Sequence, residues 1–189
     1  MNIRGPGFWN LPNTLTVMRI LLVPVMVVIM RGEPTTLENY LGCFIFVAAM
    51  ITDIIDGALA RRWNLVSPVG AYLDPMADKL MTATVLIMLV PLGRVSAALV
   101  SLLLCRELAI TGLRGIASQE GILLPADTLG KVKTAYQSTG IGMILWHEKF
   151  LIFDVHSAGV VVLWIGALFA VLSAGDYFIK FFRATSIKI

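Results

Sequence analysis

Six apolar runs of about 20 residues each, separated by short polar stretches, leave few folds open to this chain. They fall at roughly 13–30, 39–61, 70–92, 95–116, 131–149 and 157–181. A run of that length is the unit of a membrane-spanning helix, because inside a bilayer each backbone N–H and C=O must be paired within its own segment. Composition agrees: 58% of the 189 residues are hydrophobic and 14% are charged, against about 25% charged in soluble domains. The expectation is an all-α integral membrane protein of six transmembrane helices. A single domain over residues 1–189 is expected, without a large soluble domain beside it. Phe8, Trp9 and Leu11 near Arg4 predict a short interfacial amphipathic helix ahead of the first span. Pro12 predicts a break before that span, with Asn13 or Thr14 available as its cap. Arg19 interrupts the first run and no small-residue cleavage pattern follows, so a cleavable signal is not expected. Cys43 and Cys105 sit in apolar runs without CxxC spacing and read as small buried hydrophobes.

Lysine and arginine set the direction of the spans. With the N-terminus inside, the inner side carries Arg4, Arg61, Arg62, Arg114, Lys131, Lys133, Lys180, Arg183 and Lys188. The outer side carries Arg31, Arg94 and Lys149. This bias puts both termini in the cytoplasm and explains the +3 net charge without a nucleic-acid partner. Asn13, Thr16 and Arg19 then lie early in the first span, Asp53 and Asp56 late in the second, and Asp74 and Asp78 early in the third. Arg106, Glu107 and Arg114 fall in the later half of the fourth, Lys131 and Lys133 open the fifth, and Asp176 closes the sixth. All of these lie in the cytoplasmic half of their spans, which predicts a polar chamber open to the cytoplasm.

Carboxylates are costly at hydrocarbon depth unless they are paired, metal-bound or facing a cavity. Asp53 and Asp56 are one helical turn apart on one face, as are Asp74 and Asp78. Two helices each offering two carboxylates suit one or two hard divalent cations such as Mg²⁺, completed by phosphate oxygens and water. No histidine or thiolate is near in sequence, which argues against zinc. Such a pair of ions stabilises the attacking and leaving oxygens of an in-line phosphoryl displacement. Gly57 and Ala60 leave the helix face bare for a bulky diphosphate, and Arg61 offers a fork of donors to phosphate. As ion pairs with Arg61, Lys79 and Arg106, the aspartates would only hold the bundle together. Four acids with small residues between them exceed what packing needs. A divalent-cation transporter also uses intramembrane aspartates, but it needs a path to both faces, and the outer halves of these spans are nearly free of charge.

A second set is basic. Arg106 and Arg114, eight residues apart, fall roughly on one face of the fourth span, and Lys131 and Lys133 enter the fifth, where helix N-terminal amides also attract anions. Cations beside a metal site point to a second, anionic substrate, the plainer reading being lipid-headgroup attraction. His147 and His156 lie near the outer loop without an assigned role. Trp146, Trp164 and Tyr177 read as interfacial or lipid-facing, and Met76, Met81 and Met88 as packing.

The acid-rich stretch resembles the signature of the CDP-alcohol phosphotransferases: Asp-x-x-Asp-Gly-x-x-Ala-Arg, eight residues, then Gly-x-x-x-Asp-x-x-x-Asp. Its fixed positions are Asp53, Asp56, Gly57, Ala60, Arg61, Gly70, Asp74 and Asp78. Supporting stretches run from Pro12 to Arg19, Ala60 to Asn64, Leu73 to Lys79, Arg106 to Arg114 and Gly130 to Thr134. The likeness thins after about residue 140. The resemblance implies a bacterial inner-membrane protein, multi-pass and homodimeric, with its active site on the cytoplasmic side. The implied reaction joins CDP-diacylglycerol and glycerol 3-phosphate with release of CMP; other acceptors in the family are inositol phosphate, phosphatidylglycerol and serine. By the same resemblance, Asp53, Asp56, Asp74 and Asp78 hold two Mg²⁺ or Mn²⁺ ions, and Asp78 is the general base. Asn13, Thr16, Gly57, Arg61 and Ser67 would contact the CDP part, and Arg106, Arg114, Lys131 and Lys133 the glycerol phosphate.

Overall fold

The computed structural model describes residues 11–63, 68–121, 128–150 and 153–186. Six helices follow one another: α1 (Leu11–Ile29), α2 (Thr36–Trp63), α3 (Pro68–Leu89), α4 (Ala97–Gln119), α5 (Thr128–Trp146) and α6 (Val155–Ser186). Each overlaps one of the apolar runs. A two-residue antiparallel pair, β1 (Lys149–Phe150) and β2 (Phe153–Asp154), joins α5 to α6 and has no counterpart in the sequence reading. The expected interfacial helix falls largely on residues 1–10, outside the described residues. The expected break at Pro12 is corrected: α1 already runs from Leu11, so Asn13 lies inside its first turn instead of capping it. Proline is tolerated there because the first amides of a helix have no intrahelical acceptor.

Among the described residues, α2, α4 and α6 start with side-chain caps. Thr35 and Glu38 form a reciprocal box at α2: the Thr35 amide donates to Glu38 Oε2 at 2.7 Å, and the Glu38 amide donates to Thr35 Oγ1 at 3.3 Å. Ser96 accepts from the Leu99 amide at 3.3 Å to open α4. Asp154 opens α6 by accepting from the Ser157 amide at 3.2 Å and the Ser157 hydroxyl at 2.6 Å.

The chain forms two compact units, Met1–Leu92 with Leu145–Glu148, and Gly93–Ile144 with Lys149–Ile189. In the first, α1 packs on α2 and α3. The α3 side chains Ala77, Met81, Val85 and Leu89 are fully buried at a spacing of four, one stripe of the helix. Met81 thus packs as expected, whereas Met76 is exposed. In the second unit α4 packs on α6, with Ile110, Leu113 and Tyr177 in one cluster backed by Ala174 and Phe181.

Helix α5 meets α6 through glycines. A Cβ on Gly140 would lie 2.9 Å from the Leu163 amide nitrogen, and one on Gly159 would lie 2.8 Å from Met143 Cβ. The two backbones approach this closely because neither position has a side chain, the usual device for helices packed in lipid.

The surface is inverted relative to a soluble protein. Val28, Phe44, Ile54 and Leu108 are 72–73% exposed, and they are joined by Leu21, Val161, Leu168 and Phe182. Soluble monomers do not leave so much apolar side chain in water. Thr36–Ile55 in α2 and Val155–Thr185 in α6 are long and apolar enough to cross a bilayer, and Asn13–Ile29 is a shorter apolar helix. The chain is therefore read as a membrane protein.

Candidate active site

Helix α1 presents Asn13, Thr16 and Arg19 at successive threes, all at most 3% exposed. That spacing puts each about one turn from the next, along one side of the helix. Arg19 is the hinge of the arrangement. Its Nη1 donates to Asp53 Oδ1 on α2 at 2.6 Å and to Asp74 Oδ1 on α3 at 3.3 Å. Thr16 Oγ1 donates to the same Asp74 oxygen at 3.2 Å. Three helices are thus tied at one buried positive charge. Asp78, half-buried, lies one turn along α3 from Asp74.

The sequence reading named Arg61, Lys79 and Arg106 as possible partners for the aspartates. Asp53 and Asp74 both draw on Arg19, which was not among them. Its signal is visible: an arginine at position 19, three residues from Thr16, in a helix with no other charged residue. Thr16, expected at the CDP part, spends its hydroxyl proton on Asp74. The side chains of Asp56, Gly57 and Arg61 lie outside the described residues, although their backbone continues α2; Ser67 lies outside them altogether.

Among the described residues, no group of three acidic, histidine or cysteine side chains gathers closely enough to hold an ion. Asp53 and Asp74 do converge as a pair, and they converge on a positive charge. Their carboxylates are 30% and 37% exposed in front of an arginine that is 2% exposed. An all-oxygen donor set of this kind, buried on the arginine side and open on the other, fits a hard divalent cation.

The basic set lies in the second unit. Arg106 on α4 is held by α6: Nε donates to the Ala170 carbonyl at 3.0 Å and Nη2 to Ser173 Oγ at 3.0 Å. Its Nη1 donates to Glu107 Oε2 at 3.2 Å, and Lys133 Nζ on α5 donates to the same oxygen at 2.6 Å. Arg114, two turns along α4, reaches α6 as well, with Nη2 donating to the Tyr177 hydroxyl at 2.6 Å and its guanidinium carbon 4.8 Å from the ring centroid. Arg106 and Arg114 therefore share a face, as their spacing implies. Lys131 and Lys133, two apart, do not: Lys133 is buried and Lys131 exposed, as a helix turning 100° per residue requires.

Tyr177 needs a correction. It is 2% exposed and hydrogen-bonded, not interfacial, because it lies one turn from Ser173 on the α6 face that meets α4. Trp164, by contrast, is half exposed, as expected of a lipid-facing residue. Trp146 packs against Tyr40 with ring centroids 4.6 Å apart. Glu107, Ser173 and Tyr177 are the residues that sequence reasoning left without a part in the basic set.

A profile of the CDP-alcohol phosphatidyltransferases matches residues 9–172, most of the chain and both units. The chain belongs to that family. It is 35% identical to the CDP-diacylglycerol--glycerol-3-phosphate 3-phosphatidyltransferase of Bacillus subtilis, an alignment covering 93% of this chain and 97% of that one. It is 36% identical to the protein of the same name from Rickettsia felis, over 89% of this chain and 93% of that one. A probable phosphatidylglycerophosphate synthase of Mycobacterium tuberculosis is 35% identical, over 92% and 82%.

Proposed function

We propose that this chain transfers the phosphatidyl group of CDP-diacylglycerol to glycerol 3-phosphate, giving phosphatidylglycerol phosphate and CMP. The names of the Bacillus and Rickettsia relatives support the donor and the acceptor. The observation that carries the chemistry is the convergence of Asp53 and Asp74, from two helices, on one positive charge. Asp53, Asp56, Asp74 and Asp78 would hold two divalent ions, Mg²⁺ or Mn²⁺, which when bound neutralise the diphosphate and polarise its phosphorus.

The protein side of the reaction follows from the residues. Asp78 accepts the proton of the acceptor's primary hydroxyl while that oxygen attacks the phosphorus bearing diacylglycerol. An alcohol is a weak nucleophile near neutral pH, and a positioned base is worth about 10²- to 10⁴-fold. The bond from phosphorus to the CMP oxygen breaks, and the charge gathering on the leaving CMP is met by Arg61. Asn13, Thr16, Gly57, Arg61 and Ser67 border the CDP part, with Thr16 also orienting Asp74. Arg106, Arg114 and Lys133 bind the acceptor's phosphate, supported by the burial of Arg106 and Lys133; exposed Lys131 contributes attraction from the solvent side.

In this reading residues 1–189 form one enzyme domain with six spans in a bacterial inner membrane, both termini and the reaction on the cytoplasmic side, working as a homodimer. The lysine and arginine bias supports the orientation. The acyl chains stay in the bilayer while CMP and glycerol 3-phosphate exchange with water.

Purified protein given CDP-diacylglycerol, Mg²⁺ and a panel of acceptors tests the proposal. CMP release with glycerol 3-phosphate alone, abolished by chelation, is the expected result. Release with inositol phosphate, phosphatidylglycerol or serine instead would keep the chemistry and overturn the acceptor. No release with any of them would sink the enzyme reading in favour of ion transport.

A further inference from the structure

Within the basic set stands one acid. Glu107 Oε2 accepts from Arg106 on its own helix and from Lys133 on α5, one oxygen bridging two cations as a phosphate oxygen would. The exposures rank in a telling order. The Arg106 and Lys133 side chains are each 9% exposed and that of Glu107 is 28% exposed, so the carboxylate is the most accessible of the three groups. Nor is Glu107 the support of Arg106. The guanidinium is already fixed by two other bonds, to the Ala170 carbonyl and the Ser173 hydroxyl of α6.

We infer that the Glu107 carboxylate is a resident anion standing where the acceptor's phosphate binds, and that phosphate enters by displacing it from Arg106 and Lys133. The inference rests on the reading of these cations as the acceptor site. It has a consequence for specificity. A dianionic phosphate offers the two cations more charge and more acceptor oxygens than one carboxylate does, and so can replace it. An uncharged hydroxyl offers less than they already have, so Glu107 biases the site toward phosphorylated acceptors. Without it, Arg106 and Lys133 would also attract any small anion.

The full chain in detergent, supplied with CDP-diacylglycerol and Mg²⁺, is assayed for CMP release against glycerol 3-phosphate, with inorganic phosphate as competing anion. Glu107→Gln keeps the shape and removes the charge. Loss of the competitor is expected to lower the KM for glycerol 3-phosphate by about threefold, the order of a partly exposed ion pair. The inhibition constant for inorganic phosphate should fall in parallel, with the KM for CDP-diacylglycerol unmoved. An unchanged or raised KM for glycerol 3-phosphate makes Glu107 a strut and overturns the inference. Should Glu107→Gln fail to fold, Glu107→Asp, too short to bridge both cations, must lower the KM as well, and a rise overturns it equally. Wild-type protein that releases no CMP with glycerol 3-phosphate fails the functional reading instead. Glu107 is then judged by whether inorganic phosphate raises the Tm of Glu107→Gln more than that of wild type, an equal or smaller rise overturning it.

Discussion

Both units place one charge of the opposite sign among charges of a kind, but they do so with opposite layering. In the first, the odd charge is the deepest group: Arg19 is 2% exposed, and the carboxylates of Asp53 and Asp74 lie in front of it, about a third exposed. In the second, the odd charge is the outermost: Glu107 fronts the buried Arg106 and Lys133. On the proposed reading, a cation would meet Asp53 and Asp74 directly, with Arg19 left in place behind them. An approaching anion meets Glu107 first. The difference teaches that a minority charge can either hold a site together or stand guard over it, and burial decides which.

The sharpest way to break the contrast is at the acids. Asp78→Asn is expected to lower kcat by about a thousandfold, the range of a lost general base, with binding of CDP-diacylglycerol retained in a filtration or tryptophan-quenching assay. An active variant would remove the base from Asp78. Arg19→Gln probes the buried cation. Removing one member of a buried pair costs about 3–5 kcal/mol, less here because both carboxylates touch solvent. A drop of several degrees in Tm is expected in chelator, narrowing on addition of Mn²⁺ as the ion takes up the uncompensated charge. A drop that Mn²⁺ leaves unaltered would make Arg19 a helix tie with no bearing on the acids.

The second unit is probed next. Lys133→Ala should raise the KM for glycerol 3-phosphate about tenfold and that for CDP-diacylglycerol far less, since a buried charge-assisted hydrogen bond is worth roughly 1.5–3 kcal/mol. Equal effects on both substrates would take Lys133 out of the acceptor site. The smallest effect is expected at Asp154, far in role from either set. The Ser157 hydroxyl and amide hold its carboxyl below the usual carboxylate range. A depressed folded pKa means that the capping contribution is present above the unfolded value, about 3.9, and is lost as pH falls through the folded one. Asp154→Ala should therefore lower Tm slightly near neutrality, with the gap from wild type closing in acid.

The length of apolar runs and the placing of charge make the scaffold legible. Six helices could be read because each needs a long apolar run, and the four-aspartate pattern because acids inside such runs demand a reason. What escaped depended on neighbours from other helices. Arg19 could be seen only as an interruption until α2 and α3 brought Asp53 and Asp74 to it. Tyr177 was misread because an aromatic near a helix end usually marks an interface, and nothing local says that its face meets Arg114. Glu107 sits beside Arg106 in sequence, but its bond to Lys133 comes from α5, 26 residues on. Pro12 suggests a break with Asn13 or Thr14 available as a cap, whereas the helix simply begins earlier.

The exposed face of α6 changes character along its length. Its exposed apolar side chains run from Val161 to Phe182, but from Asp176 onward they share the helix surface with the Asp176–Lys180 ion pair. Ser173, which holds Arg106, lies nine residues before Phe182, about 14 Å along the helix. The anchor of the basic set thus lies where the apolar stretch gives way to charge, three residues before Asp176. On the reading proposed above, a water-soluble acceptor would reach that anchor from the charged end of the helix, and the apolar stretch would be left to the acyl chains of the lipid substrate.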